Sequence, residues 1–166
     1  MRGTTLYPLN SLKDIYPEIY GQQVAKYVGR EHVQQHKIPP LDNCLWNDVI
    51  FMTSLDPREL YKERKRAGFP DAPPQYYYKI DPNTLDQEKL AVYLFTPATR
   101  VADDFVPYHY NNLPSYASVP KATADYFHEL RKQNAERIPL FYRYVPHILY
   151  KGTINISDCE IILANP

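Results

Sequence analysis

Three groups of residues in this chain combine suitable side-chain chemistry with a setting where a ligand could be met. His147 follows a proline and opens an apolar run, Pro146-His147-Ile148-Leu149-Tyr150. An imidazole there titrates near neutral pH and can serve as acid or base, or touch a nucleotide; it can equally be a hydrogen-bonded side chain at a strand end. Arg58 falls in the first turn of a helix that Pro57 opens, where a cation opposes the helix dipole. Such a placement points either to an anionic partner such as a pyrophosphate or to a surface pair with Asp56, Glu59 or Glu63. The third group is aromatic. Trp46, the single tryptophan, can stack on a base or fill the core, and Asn47 and Asp48 follow it. Asp48 can orient His147 or a ribose hydroxyl, or cap a turn. Tyr108, His109 and Tyr110 lie together in a long proline-rich stretch. They read as an aromatic lid over a nucleotide or as a loop packed on a sheet edge.

Other patterns are weaker. His32 and His36 stand four apart, as two metal ligands on a helix would, but no third ligand lies near them and a solvated face is expected. Lys62, Arg64, Lys65 and Arg66 alternate with Glu59 and Glu63, the pattern of a solvated helix face, with nucleic-acid contact as the alternative. The chain has no Gly-rich dinucleotide fingerprint, no Walker loop, no His-Glu-x-x-His pair and no serine elbow, which disfavours those enzyme classes.

The element that must position these groups runs over residues 45–68. It reads as a buried strand turning directly into a helix. Asp56 suits the N-cap, Pro57 the first helical position and Glu59 the third, as in a capping box. Arg64, Lys65 and Arg66 suit the negative end of the dipole, and Gly68 can close the helix. Upstream, residues 4–9 read as a short opening strand, and Ser11 caps a helix running to about Val28, with Pro17 in its first turns. Residues 30–43, with Pro39-Pro40, read as a loop. Downstream, residues 75–80 (QYYYKI) and 90–95 (LAVYLF) read as two strands that could pair as a hairpin, the second buried on both faces. Residues 96–120 form a long irregular loop, ordered by its aromatics and so expected to cover a site. A second helix spans about 120–133, a strand 138–144, and strand-turn-strand-turn-strand 145–163.

Composition bounds the rest. At 166 residues and 44% hydrophobic content, one domain with a real core is expected over residues 1–166. Nineteen basic residues balance nineteen acidic ones, so no global charge draws the chain to nucleic acid. Sixteen tyrosines suit half-buried strands and cleft walls, and sixteen prolines imply long shaped connections. Cys44 and Cys159 lack disulfide-framework or metal spacing and read as small buried apolar residues. No apolar run reaches membrane-spanning length and no signal-peptide core opens the chain, so a cytoplasmic protein is expected, with no membrane partner.

The order of elements resembles the ADP-ribosyltransferase fold, in the branch of the DNA-targeting ADP-ribosyltransferase toxins and their uncharacterised relatives. The residues that carry the resemblance are TTLYPLNSLKDI at 4–15, VIFMTSLDPRELY at 49–61 and PHILYKGTINISDCEIIL at 146–163. The resemblance implies NAD as co-substrate and no metal. It also implies a strand near the closing segment that carries a catalytic glutamate, with a hairpin returning a last strand. That glutamate position falls on His147, which cannot give an oxocarbenium-like transition state the negative charge it needs. Glu160, on the last strand, would have to point inward to replace it. Tyr7 is the nearest match to the residue that holds the nicotinamide side.

The expected fold is therefore α+β, a split mixed or antiparallel sheet forming a cleft, with two or three flanking helices. Two functions follow. One is a nucleotide-handling protein that binds NAD, through Tyr7, Trp46, Asn47, Asp48, Arg58, Tyr108, His109 and Tyr110, and transfers ADP-ribose to nucleic acid or protein with His147 and Glu160 at the reacting centre. The other is a non-catalytic sequestering, immunity or interaction module that uses a tyrosine-rich surface.

Overall fold

A computed structural model describes residues 3–97, 101–133 and 138–165. Among these the chain is α+β, with four α-helices and ten short strands. The strands in chain order are β1 (Thr5–Leu6), β2 (Lys37–Ile38), β3 (Cys44–Leu45), β4 (Ile50–Met52), β5 (Tyr76–Lys79), β6 (Leu90–Tyr93), β7 (Phe105–Pro107), β8 (His147–Tyr150), β9 (Ile154–Asn155) and β10 (Glu160–Leu163). The helices are α1 (Leu12–Ile15), α2 (Pro17–Val24), α3 (Pro57–Arg66) and α4 (Lys121–Gln133). Every strand pair is antiparallel. A four-stranded sheet runs in the order β4-β8-β6-β7, and β5 with β10 makes a separate ribbon.

Helix α3 forms as its local signals require. The Asp56 carboxylate accepts from the Arg58 N–H at 2.9 Å, and Gly68, at φ +87°, closes the end by donating to the Lys65 carbonyl. Glu59 pairs with Lys62 on the surface. Leu60, fully buried, anchors the helix against Leu55 and Val145. Strand β6 is buried along its whole length, as its unbroken apolar run requires of a strand flanked on both sides by β8 and β7.

Several expectations are corrected. The stretch before α3 is not a long buried strand. Residues 46–48 form a 3₁₀ turn, because Asp48 accepts the Leu45 N–H at 2.7 Å and bends the chain. The part that enters the four-stranded sheet is β4, which lies at its edge with Phe51 37% exposed. The first helix breaks at Tyr16, whose extended φ of −141° is the conformation that a following Pro17 imposes. Residues 30–43 hold β2 and two 3₁₀ turns. No hairpin joins β5 to β6: β5 pairs with β10, Tyr78 opposite Ile161, and β6 pairs with β8 and β7. The stretch 96–120 contains β7 and a 3₁₀ helix, Tyr110–Tyr116. Residues 138–144 are not a strand. Their backbone is satisfied by side chains of α4: the Tyr126 hydroxyl accepts the Leu140 N–H at 3.0 Å, and the Thr123 hydroxyl donates to the Arg143 carbonyl at 2.8 Å. Tyr144 then turns at φ +64°. The three closing strands are present but enter three different sheets, β9 pairing with β1. Cys44 and Cys159 are half-buried, not buried.

Candidate ligand cleft

A cleft of about 760 Å³ opens between the β4–β8 side of the four-stranded sheet and the β5–β10 ribbon. The segment ending at Met52 and the one beginning at Pro146 are adjacent strands, with Met52 opposite Ile148. Together they form one floor. Ile50, Met52, Leu90 and Ile148 make that floor and belong to one apolar cluster with Tyr78, Ile80, Leu85, Tyr108 and Leu113. The β5 tyrosines wall the far side. Tyr77 meets Tyr142 edge-on with ring centroids 6.4 Å apart and influences both Tyr61 and Tyr142, so three phenols gather where α3, the ribbon and the turn before β8 meet. Burial, reinforced by Tyr77, pushes the Tyr61 hydroxyl up to about 12 and raises Tyr142 further, so both stay protonated.

The rim is charged. Arg58, in the first turn of α3, holds the Asp56 carboxylate with Nη2 2.5 Å from Oδ2. That bond, more than any other influence, lowers the Asp56 carboxyl below the usual range. Lys79 and Glu160 face each other across the ribbon, Nζ 3.0 Å from Oε2. The Glu160 charge also acts on Arg58. Four charged groups of alternating sign thus line one mouth, two acids and two bases.

His147 lines the cleft at the start of β8. Phe51, Tyr93, Phe95 and Tyr142 surround its ring, with centroids 5.9–6.3 Å away. Burial among these rings pushes its pKa down to about 4, so the imidazole is neutral at neutral pH. It has no charge to offer, of either sign.

The structure brings His147, Glu160, Arg58 and Tyr108 to this cleft and leaves the other candidates out of its lining. Tyr7 packs edge-on against Tyr16. Trp46 packs among His36, Phe51, Tyr93 and Phe105, on the sheet face opposite the floor residues. Asn47 is buried, taking the Tyr27 hydroxyl and donating to Gln34. Asp48 caps its own turn and accepts from Asn10 at 2.7 Å. His109 and Tyr110 are exposed. Sequence reasoning missed Tyr77, Tyr142 and Lys79. The three consecutive tyrosines of β5 marked Tyr77, but the Lys79–Glu160 pair exists only through a register between distant strands. Among the described residues no group of three or more His, Cys, Asp or Glu side chains could hold a metal ion, and no helix is long and apolar enough to cross a membrane.

No protein-family model, curated protein or solved structure matches the chain.

Proposed function

We propose that this chain is a nucleotide-handling protein of ADP-ribosyltransferase-like fold, binding NAD or a related nucleotide in the cleft over β4 and β8. The observation that carries this reading is the union of an aromatic wall and a charged rim, Arg58, Glu160 and Lys79, in one cleft of about 760 Å³. Small-molecule sites span roughly 300–1,000 Å³ and combine apolar walls with a few convergent polar groups. The residues fit such a ligand in kind. The tyrosine wall suits a heterocycle, and the Arg58 fork suits a pyrophosphate once it leaves Asp56. Glu160 is the carboxylate at the mouth that can set negative charge beside a ribosyl cation. NAD, when bound, would provide the ADP-ribosyl group for transfer to nucleic acid or protein.

Glu160 is 65% exposed and already paired with Lys79, so transfer asks that side chain to turn from the ribbon to the ligand. His147 is neutral in its ring of aromatics and offers the cleft no charge. A second reading, a binding module without chemistry, is favoured by the ribbon itself: Tyr76 is 69% and Ile161 45% exposed, an aromatic and apolar surface suited to a protein partner.

Isothermal titration with NAD, followed by mass detection of free nicotinamide, tests both. Binding with release supports transfer or hydrolysis, and binding without release supports a non-catalytic nucleotide site. No binding, together with loss of a protein partner in Tyr76→Ser, selects the second reading.

A further inference from the structure

We infer that Tyr108 reads the polar edge of the ligand's planar ring and so fixes which end of the ligand enters the cleft. The inference rests on the nucleotide-binding reading above. Tyr108 follows β7, and its ring packs in the apolar floor cluster with Met52, Leu90, Leu113 and Ile148. Its hydroxyl is buried and has no hydrogen-bond partner among the described residues. A buried phenol without a partner is a net cost to the fold, and such groups are rare enough to need a reason.

Several other polar groups along the cleft are paired. Asp56 holds Arg58, Lys79 holds Glu160, and the Ser54 hydroxyl donates to the Leu113 carbonyl at 3.2 Å. Among the described residues that line the cleft, Tyr108 carries the buried side-chain polar atom that lacks a hydrogen-bond partner, and its surround is apolar. Its complement is a flat heterocycle with one polar edge, either a carboxamide or a ring nitrogen, inserted ring-first. Arg58 and Lys79 line the same cleft, so the ligand's phosphates are assigned to the Arg58 rim and its ring to Tyr108. The ligand class is then a nucleotide oriented with one base on the floor and its phosphates outward.

The test is Tyr108→Phe, which keeps the ring and removes only the oxygen. Without ligand, the variant is expected to melt at the same temperature as the parent or about 2–4 °C higher, because no internal bond is lost. Its affinity for NAD is expected to fall about 3- to 10-fold, the loss of one hydrogen bond. Titrations with nicotinamide mononucleotide and with AMP identify the ring, since the weaker binding follows whichever base sits on the floor. NAD affinity unchanged in the variant, while the parent binds NAD, overturns the inference and leaves nucleotide binding standing. A fall in melting temperature without ligand also overturns it, by showing that the hydroxyl serves the fold. A parent that binds NAD, AMP and nicotinamide mononucleotide not at all overturns both.

Discussion

The imidazole of His147 meets the Phe51 ring edge to face, centroids 5.9 Å apart and planes at 90°. Phe51 belongs to the edge strand β4 and His147 opens β8, so the contact ties the two strands together on the sheet face that Trp46 also covers. No carboxylate takes part in it, and burial holds the histidine neutral with a pKa of about 4. In the unfolded chain the same side chain titrates near 6.5. Between these values the unfolded state binds the extra proton. Stability is therefore whole above about pH 6.5, falls as pH drops toward 4 and loses nothing further from this residue below that. His147 keeps some exposure, which trims the effect to roughly 2 kcal/mol. His147→Gln should flatten this part of the curve: the difference in unfolding free energy between variant and parent, measured by urea titration, should shift by about that amount from pH 7 to pH 4.5. An unchanged difference would mean the ring is solvated.

Asp56 and Arg58 should separate stability from binding. Asp56 caps α3 through the Arg58 N–H, and losing such a cap costs about 1 kcal/mol, or about 2–4 °C in a chain of this size. Asp56→Ala should show that loss in a thermal melt. The Arg58 side chain is 52% exposed and pairs only locally, so Arg58→Ala should melt within about a degree of the parent, as exposed pairs contribute little. The same variant should bind NAD about tenfold more weakly if the guanidinium receives the phosphates.

What was legible in the sequence was local. The α3 signals, Asp56, Pro57 and Gly68, act within a turn of the backbone they shape, and β6 announced its burial by having no polar residue from Leu90 to Leu94. Pairing was not legible. The aromatic run from Ile138 to Tyr144 reads as a strand, yet Thr123 and Tyr126 of α4 take up its backbone groups, so no ladder forms there. In the cleft, Arg58 and His147 stood out because their local settings were unusual. Lys79 did not, since an exposed lysine in a strand is ordinary until Glu160 is known to face it. Trp46 left two readings open. Its size suits stacking on a base or filling a core, and it fills the face of the sheet behind the cleft.

Asp104 should prove the most costly polar residue to remove. It is 2% exposed, and its carboxylate accepts the Thr96 N–H at 2.9 Å and the Thr96 hydroxyl at 2.7 Å, while its carbonyl accepts the Leu94 N–H. These bonds pin the chain where it leaves β6 and returns in β7. Asp104→Ala removes two hydrogen bonds made to the exposed Thr96, each contributing about 0.5–1.5 kcal/mol net, so a fall in melting temperature of roughly 3–6 °C is expected. Asp104→Asn, which keeps the acceptor oxygen, should lose about half as much. Equal melting of all three proteins would show that the turn is held by other contacts.

Glu160→Gln addresses the chemistry most directly. Both members of the Glu160–Lys79 pair are 65% exposed, and pairs of that kind contribute about 0–1 kcal/mol, so the variant should fold and melt like the parent. Gln keeps the shape and loses the negative charge. If that charge stabilises a ribosyl cation, nicotinamide release should fall by about 100-fold or more while NAD affinity moves less than about threefold, the split expected of a group that acts only in the transition state. Lys79→Met complements it. Freed from its partner, Glu160 can turn toward the cleft without first breaking an ion pair, so release should hold steady or rise. Should Glu160→Gln release nicotinamide at the parent rate, Glu160 plays no part in transfer. Should Lys79→Met fall as far as Glu160→Gln, the lysine itself serves the ligand, and the rim works as an anion clamp with no catalytic acid in it.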